Sequence, residues 1–331
     1  MTMDELTDAQ PMRVIGRHGE LLTLFGVAGQ KQLKLPGKWQ SLPPEEKPLI
    51  GDWLIVDQAG LPIRLLDRSS SLSRRSSGHG QQTQFMAANI DTLFIVSSCN
   101  RDFNLSRMER YVALAYEGGC TPVVILTKSD LCADPNDYSD QVRQMKRDLM
   151  VVTTDARSVE VSSLLEPWIG PGETVAFVGS SGVGKSTLTN TLLNRHELET
   201  RAVRSDDDKG RHTTTVRAMF QMARGAWLMD TPGMRELRLG ESGQGLQEAF
   251  SDIEALAEQC RYRDCSHAET SGCAVIDAVK EGALDERRYR NYLKLQREQA
   301  YLQETQWQQR DRQRQFGKMV NEVKRVKFGR R

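Results

Sequence analysis

Three short motifs stand in this chain in an order that shuffles a familiar site. Thr127-Lys128-Ser129-Asp130 comes first. The glycine-rich run Gly179-Ser180-Ser181-Gly182-Val183-Gly184-Lys185-Ser186-Thr187 follows, and Asp230-Thr231-Pro232-Gly233 comes last. The apolar run Thr174-Val175-Ala176-Phe177-Val178 leads into the glycine-rich run, and a helical pattern from Ser186 to Asn194 leads out of it. That strand–loop–helix context is the one a phosphate loop needs. In the ordinary arrangement of these motifs the phosphate loop leads and the tetrad ending in Asp trails. The same site forms from this order only if the chain is cut and rejoined elsewhere in the sheet, which is a circular permutation.

Each motif has its own chemistry. Glycines at 179, 182 and 184 let backbone N–H groups converge on phosphate oxygens, and the helix N-terminus adds partial positive charge at the same place. Lys185 is placed to reach the β- and γ-phosphates, and Ser186 to ligate Mg²⁺. The phosphate loop does not choose a base. Asp130 does, because its carboxylate accepts from both N1–H and the exocyclic amine of guanine, a pair of donors adenine lacks. A carboxylate left unpaired by the wrong base makes that base costly. Lys128 lies along the base face. Asp230 ends a predicted strand, where a carboxylate holds Mg²⁺ through water, and Gly233 offers its N–H to the γ-phosphate.

Between the last two motifs runs the polar segment Arg204-Ser205-Asp206-Asp207-Asp208-Lys209-Gly210-Arg211-His212-Thr213-Thr214-Thr215, in the place of a switch loop. Thr214 is the threonine expected to complete the Mg²⁺ shell and order the loop. Hydrolysis needs a group that orients water, and the position after Asp-x-x-Gly is Met234, which cannot. Two readings follow. Either the enzyme is slow and needs a partner, or His212 supplies the polar group.

Around these motifs the chain divides into segments. Residues 1–10 read as a disordered leader. Residues 11–80 show short strands broken by Pro36-Gly37, Pro43-Pro44 and Gly60-Leu61-Pro62, with Met12–Gly16, Leu21–Phe25, Gly51–Val56 and Ile63–Leu66 as strands; an OB-like β-barrel is expected. Residues 68–84, rich in Ser, Arg, Gly and Gln, read as a flexible basic linker. From 81 to 244, apolar strands such as Asp91–Val96 and Pro122–Leu126 alternate with helical segments such as Met108–Glu117. This pattern indicates a buried parallel sheet and an α/β phosphate-loop domain. Residues 245–331 read as helical around a cysteine cluster. The formal net charge is +1, so bulk charge makes no case for nucleic acid. The first residues lack the basic start and apolar run of a signal peptide. No apolar stretch approaches the roughly 18 residues of a membrane span, and a cytoplasmic protein without membrane contact is expected. No heptad run suggests self-pairing, so a monomer is expected.

Three of the six cysteines, Cys99, Cys120 and Cys132, lie in apolar text and read as small buried hydrophobes. The others form Cys260-x4-Cys265-x-His267-x5-Cys273, three thiolates and an imidazole in a polar stretch. That donor set fits one structural Zn²⁺ with all four positions filled. Beyond it, residues 285–316 suit one or two helices with packing positions at Tyr289, Leu293, Tyr301 and Trp307. Arg310, Arg312, Arg314, Lys318, Lys324, Arg325, Lys327, Arg330 and Arg331 then crowd the end, with Phe316 and Phe328 among them. A basic arm of this kind suits RNA backbone binding by counterion release and stacking; a solvated tail is the plain alternative.

Taken together, these residues resemble the RsgA (YjeQ) family of circularly permuted GTPases. The resemblance runs through Met86–Asp91, Asn100–Leu105, Pro122–Asp130, the phosphate loop, Gly210–Thr215, Asp230–Gly233 and the Cys/His cluster. It implies an OB-fold domain, a permuted GTPase domain and a zinc-binding helical domain. It also implies GTP hydrolysis to GDP stimulated by the small ribosomal subunit, contact with that subunit's rRNA, and a role in its late maturation. The family's switch-loop histidine, matched here by His212, is implicated in hydrolysis. Two departures mark the chain as a diverged paralogue. Thr127 stands where the family has Asn, which removes the amide that ties the tetrad to the phosphate loop and predicts weaker nucleotide affinity. Val152-Thr153-Thr154-Asp155-Ala156 is an imperfect match to the Ser-Ala-like loop that contacts guanine O6. A reading in which GTP is only a conformational ligand of an RNA-binding assembly factor follows from Met234 and that loop. An ATP-dependent enzyme is opposed by Asp130 and the motif order.

Overall fold

The computed structural model describes residues 9–75, 83–193, 217–230, 243–268 and 271–303. His212, Thr214, Gly233, Met234 and the basic arm lie outside these residues. The chain forms two compact units, Met1–Glu254 and Ala255–Arg331.

The first unit begins with five antiparallel strands. These are β1 (Gln10–His18), β2 (Leu21–Gly26), β3 (Gly29–Lys34), β4 (Trp53–Val56) and β5 (Pro62–Leu65), in the order β3-β2-β1-β4-β5, with one helical turn, α1 (Gly37–Gln40), between β3 and β4. Alternation decides what each strand buries. Leu22 and Leu24 of β2 point inward with Met12, Val14, Leu33, Leu54 and Val56 to make a small core. β3 exposes Gln30, Lys31, Gln32 and Lys34 and buries only Leu33, so its strand character leaves no apolar alternation in the sequence. Among the described residues β3 and β5 do not pair, so the sheet is open there.

β1 serves two partners along one side. Gln10–Arg13 pair with β4, and after a bulge between Val14 and Gly16 the strand pairs with β12 (Arg217–Gln221) at Gly16↔Ala218 and Arg17↔Arg217. The N-terminal strands therefore continue into the α/β sheet. Buried Arg13 reinforces the join, donating to Gly51 O (3.3 Å), Asn89 O (3.0 Å) and Thr174 Oγ1 (2.6 Å). Burial lowers its pKa to about 10, against the pull of Asp91 and Asp52, so it stays charged at neutral pH. Asp52, fully buried, is held by Arg68 through Nε–Oδ1 (2.9 Å) and Nη2–Oδ2 (2.8 Å) and by Leu49 N (2.7 Å).

The segment expected to be a flexible linker contributes strands. β6 (Ser71–Arg75) and β7 (Thr83–Ala88) form an antiparallel pair. Ser70 is buried, its hydroxyl shared between Ile90 O and Ile90 N at 2.7 Å. The Ser70 hydroxyl thus satisfies backbone groups, which composition does not reveal.

The α/β part follows, with β8 (Thr92–Ser98), α2 (Leu105–Glu117), β9 (Thr121–Thr127), α3 (Pro135–Met145), β10 (Met150–Thr153), α4 (Val161–Leu164), β11 (Thr174–Gly179), α5 (Lys185–Leu192), β12, β13 (Trp227–Asp230) and α6 (Gln244–Ala249). The order is β10-β9-β8-β11-β13-β12, parallel apart from the antiparallel β12. β8, β9 and β11 are buried almost throughout, as strands covered on both faces must be. Phe94, Val123, Ile125, Val175, Phe177, Leu188 and Leu228 pack together beneath α5 and the following loops. Asn104 caps α2 by accepting from Arg107 N (2.9 Å), and Asp134 caps α3 ahead of Pro135.

The second unit holds the end of α7 (Ser251–Ala257), a loop, α8 (Ala274–Lys280) and α9 (Glu286–Gln303). α9 buries Arg288, Asn291, Tyr292, Leu295 and Gln299, a helical stripe of three- and four-residue steps. The stripe is offset from Tyr289, Leu293 and Tyr301, which the sequence suggested; three of its five members are polar and carry no hydropathy signal. Among the described residues, no helix is long and apolar enough to cross a membrane.

Candidate functional site

β8 opens the α/β sheet in sequence, and the chain then steps outward through β9 and β10 before returning to lay β11 on the other side of β8. The order in which strands are added reverses between the parallel β8 and β11, and ligands bind such sheets beyond the carboxyl ends of strands at that switch point. The motifs gather there. Thr127 ends β9, Gly179 ends β11 and Asp230 ends β13, while the loop after β10 begins beside Leu126, which accepts from Thr154 N at 2.9 Å.

The phosphate loop turns as its glycines require. Gly179 has φ +144°, and a Cβ there would lie 2.2 Å from Val96 O, a backbone atom that cannot give way. Gly184 has φ +99° and its missing Cβ faces Thr127, with Oγ1 at 3.3 Å. α5 starts at Lys185, with Ser186 exposed on its first turn and Thr187 beside it. Lys185 Nζ donates to Gly179 O (2.9 Å) and to Ser180 O, so the ammonium lies over the loop. Burial raises the Asp230 pKa while the Lys185 charge lowers it, so the carboxylate sits within electrostatic reach of that ammonium.

The tetrad is bound to the phosphate loop by Thr127. Its fully buried hydroxyl donates to Val183 O at 2.6 Å, with Ser97 O at 3.1 Å as the weaker alternative. From the sequence, Thr in place of Asn keeps a hydroxyl but loses the amide expected to make this tie. The structure corrects that: a shorter side chain reaches because Gly184 lets the loop approach. Lys128 then adopts φ 58°, ψ 33°, a left-handed conformation unusual outside glycine, and throws Ser129 and Asp130 into a tight turn over the crevice.

Two arginines escaped the sequence reading. Arg157 donates from Nη2 to Asp130 Oδ2 (2.7 Å) and clasps Asp155 from Nε (3.0 Å to Oδ1) and Nη2 (3.0 Å to Oδ2). These bonds hold Asp155 below its ordinary carboxylate pKa and Arg157 above its own. The only signal was the charged pair Asp155 and Arg157 in the imperfectly matched loop. Arg107, one turn into α2, donates to Ser180 Oγ of the phosphate loop; its signal was its place three residues after the cap Asn104. Ala156 O accepts from Thr191 Oγ1 (2.7 Å), which fixes the Asp155 loop against α5.

In the second unit Cys260, Cys265, His267 and Cys273 bring their donor atoms within 4.8 Å of one another. Cys260 Sγ lies 3.8 Å from Cys273 Sγ, and His267 Nδ1 lies 3.6 and 3.5 Å from those two sulfurs. A tetrahedron with metal–sulfur bonds of ~2.3 Å and a metal–nitrogen bond of ~2.0 Å has edges of about 3.8 and 3.5 Å, so the donors fit a single metal ion. Burial, helped by neighbouring thiols, pushes Cys273 up to about 11, so a cation is needed to hold it as thiolate. His267 adopts φ 54°, and Tyr289 donates to its carbonyl at 2.5 Å, fixing the turn. Of the remaining thiols, Cys99 and Cys120 are buried and pushed up to about 12 by burial, while Cys132 is half-buried.

The geometry agrees with comparisons to known proteins. The model for the RsgA GTPase family matches residues 65–240. A small ribosomal subunit biogenesis GTPase RsgA 2 from Vibrio parahaemolyticus is 46% identical over 323 residues, covering 98% of this chain and 88% of its own. A small ribosomal subunit biogenesis GTPase RsgA from Mesorhizobium japonicum is 44% identical over 300 residues, covering 88% and 84%. The crystal structure of YjeQ from Thermotoga maritima shares the fold with a TM-score of 0.64 at 24% identity, over 90% of this chain and 100% of that one. YloQ, described as a circularly permuted GTPase, does so with 0.65 at 20%, over 92% and 100%. Similarity of this extent, on a sheet that brings the shuffled motifs to one crevice, makes the chain a member of the RsgA GTPase family.

Proposed function

We propose that the protein hydrolyses GTP to GDP and phosphate in the late maturation of the small ribosomal subunit, with that subunit stimulating turnover. The Thr127–Val183 hydrogen bond carries the reading, because it joins base recognition to phosphate binding across the permuted order. Relatives 46% and 44% identical bear the name small ribosomal subunit biogenesis GTPase, which supports the reading.

Asp130 accepts from the guanine edge, with Lys128 along the base and Ser129 shaping the turn. Backbone N–H groups of Ser180, Ser181, Gly182, Val183 and Gly184 surround the phosphates, and Thr187 continues the helix whose N-terminus faces them. Lys185 neutralises charge that builds on the transferred phosphoryl group. The oxygens of Ser186, Thr214 and Asp230 are the hard donors Mg²⁺ prefers, and Asp230, desolvated beside Lys185, suits such a cation. When bound with the nucleotide, Mg²⁺ offsets phosphate charge. Gly233 donates to the γ-phosphate, and His212 orients the attacking water once the subunit orders the switch segment.

The four-donor cluster holds one structural Zn²⁺, which closes the loop between α7 and α8. The N-terminal strands make an OB-like barrel that stays open between β3 and β5, and with the basic arm beyond residue 303 they contact rRNA. The protein works in the cytoplasm as a monomer, without membrane contact. GTP turnover by the purified protein, with and without purified small subunits and with His212→Ala alongside, tests the proposal. Stimulation lost in the variant is expected. Subunit binding with turnover unchanged would make GTP a conformational ligand of an assembly factor instead.

A further inference from the structure

Guanine recognition asks more of Asp130 than its presence. Both oxygens must face the base edge together, one toward N1–H and one toward the exocyclic amine. A carboxylate on a tight turn, 29% exposed, rotates freely unless something grips it. Threonine and serine hydroxyls are the obvious candidates in the loop after β10, but none serves. Thr154 turns its hydroxyl to the Asp155 carbonyl at 3.2 Å. Ser158 Oγ faces its own backbone, accepting from Glu160 N at 3.1 Å. The group that reaches Asp130 from this loop is the Arg157 guanidinium, at 2.7 Å.

We propose that Arg157 is a positioning residue for guanine, holding the Asp130 carboxylate in the two-oxygen pose that the base requires, with Asp155 holding Arg157 in turn. The donor count allows it. A carboxylate has about four lone-pair sites; Arg157 takes one on Oδ2, which leaves each oxygen able to accept from the base. The guanidinium also bridges two carboxylates, those of Asp130 and Asp155, whose mutual repulsion would otherwise swing Asp130 away. Nε and Nη2 together define one edge of a planar fork, so the Asp155 clasp fixes the direction in which the second Nη2 proton points. Ala156 keeps this loop in place, being buried in the core and bonded through its carbonyl to α5. The imperfect match of the loop thereby acquires a function: a charged clasp does the orienting that a small hydroxyl does not do here.

The inference rests on the reading of this crevice as a guanine-nucleotide site. It is tested with GDP and IDP, which differ only in the exocyclic amine. Equilibrium binding of both is measured for the full chain, for Arg157→Ala, for Arg157→Lys and for Asp155→Asn, with the unfolding temperature of each recorded. In Arg157→Ala, GDP binding falls about tenfold while IDP binding falls less than about threefold, the difference being roughly one oriented hydrogen bond. Arg157→Lys recovers only part of the GDP preference, since an ammonium lacks the fork. Asp155→Asn shifts the GDP-to-IDP ratio in the same direction by a smaller factor. An equal loss of both nucleotides would make Arg157 merely structural and overturn the proposal. Tighter GDP binding in Arg157→Ala would overturn it differently, showing that the guanidinium competes with the base. Failure of the unaltered protein to bind GDP would instead bring down the guanine-site reading itself.

Discussion

Replacing Thr127 by Val tests how the two halves of a permuted site are joined. The change keeps the branched shape that fits against Gly184 and removes only the hydroxyl. Val183 O then loses a donor now 2.6 Å away. A satisfied neutral hydrogen bond is worth ~1 kcal/mol, and an acceptor left unpaired in a buried place costs ~1–3 kcal/mol. Thr127 is 0% exposed, so water cannot replace the hydroxyl and the loss falls near ~2 kcal/mol. In a unit spanning Met1–Glu254, that lowers the melting temperature by roughly 4–8 °C. Val183 sits between two phosphate-loop glycines, so the loop also loosens where phosphates bind. GDP affinity should fall about tenfold, equivalent to ~1.4 kcal/mol. Thr127→Ser keeps the hydroxyl and should hold GDP within about twofold of the parent. The assay is differential scanning fluorimetry paired with titration of a fluorescent GDP. If Thr127→Val melts and binds GDP like the parent, the hydroxyl does not link base and phosphate recognition, and the correction drawn for this position is wrong.

Two further outcomes follow from the same physical reasoning. Arg68→Ala strands the buried Asp52 carboxylate and should destabilise the first unit by about 3 kcal/mol at neutral pH. Burial raises the Asp52 pKa even with Arg68 in place, so the folded state holds a proton more tightly than the unfolded chain. The variant's deficit therefore shrinks as pH falls through the raised folded pKa toward the unfolded value near ~3.9, and urea titrations from pH 7 to pH 4 would read it. Cys273→Ser should cost the second unit its bound metal. Elemental analysis should give about one zinc per chain for the parent and much less for the variant, and a strong chelator should lower the parent's helical circular dichroism.

The α/β half was legible because chemistry and periodicity coincide there. Buried parallel strands such as Thr121–Thr127 read as unbroken apolar runs, and β9, β11 and β13 end on the motif residues Thr127, Gly179 and Asp230. The cluster at Cys260, Cys265, His267 and Cys273 was legible because its spacing stands out in polar text. What was missed depends on neighbours that no local window contains. β3 escaped because Leu33 is its only buried residue, and β6 because Ser70 and Ser71 are satisfied by backbone of Gly118, Asn89 and Ile90. The reach of Thr127 depends on Gly184, which is distant in sequence, and Arg157 finds Asp130 only because β10 lies beside β9. Long-range pairing of this kind is set by sheet register, and sequence patterns report register poorly. Boundaries shifted for a simpler reason: α2 begins at Leu105 rather than Met108 because Asn104 caps it.

The most direct test of the central claim is base selectivity. A fluorescent GDP bound to the purified protein is challenged with unlabelled GDP, GTP and ATP, and with GDP against Asp130→Ala. GDP and GTP should displace the probe, ATP should not do so even at ~100-fold excess, and the variant should lose most of its GDP binding. Displacement by ATP at concentrations matching GTP, or GDP binding untouched by Asp130→Ala, would contradict that claim.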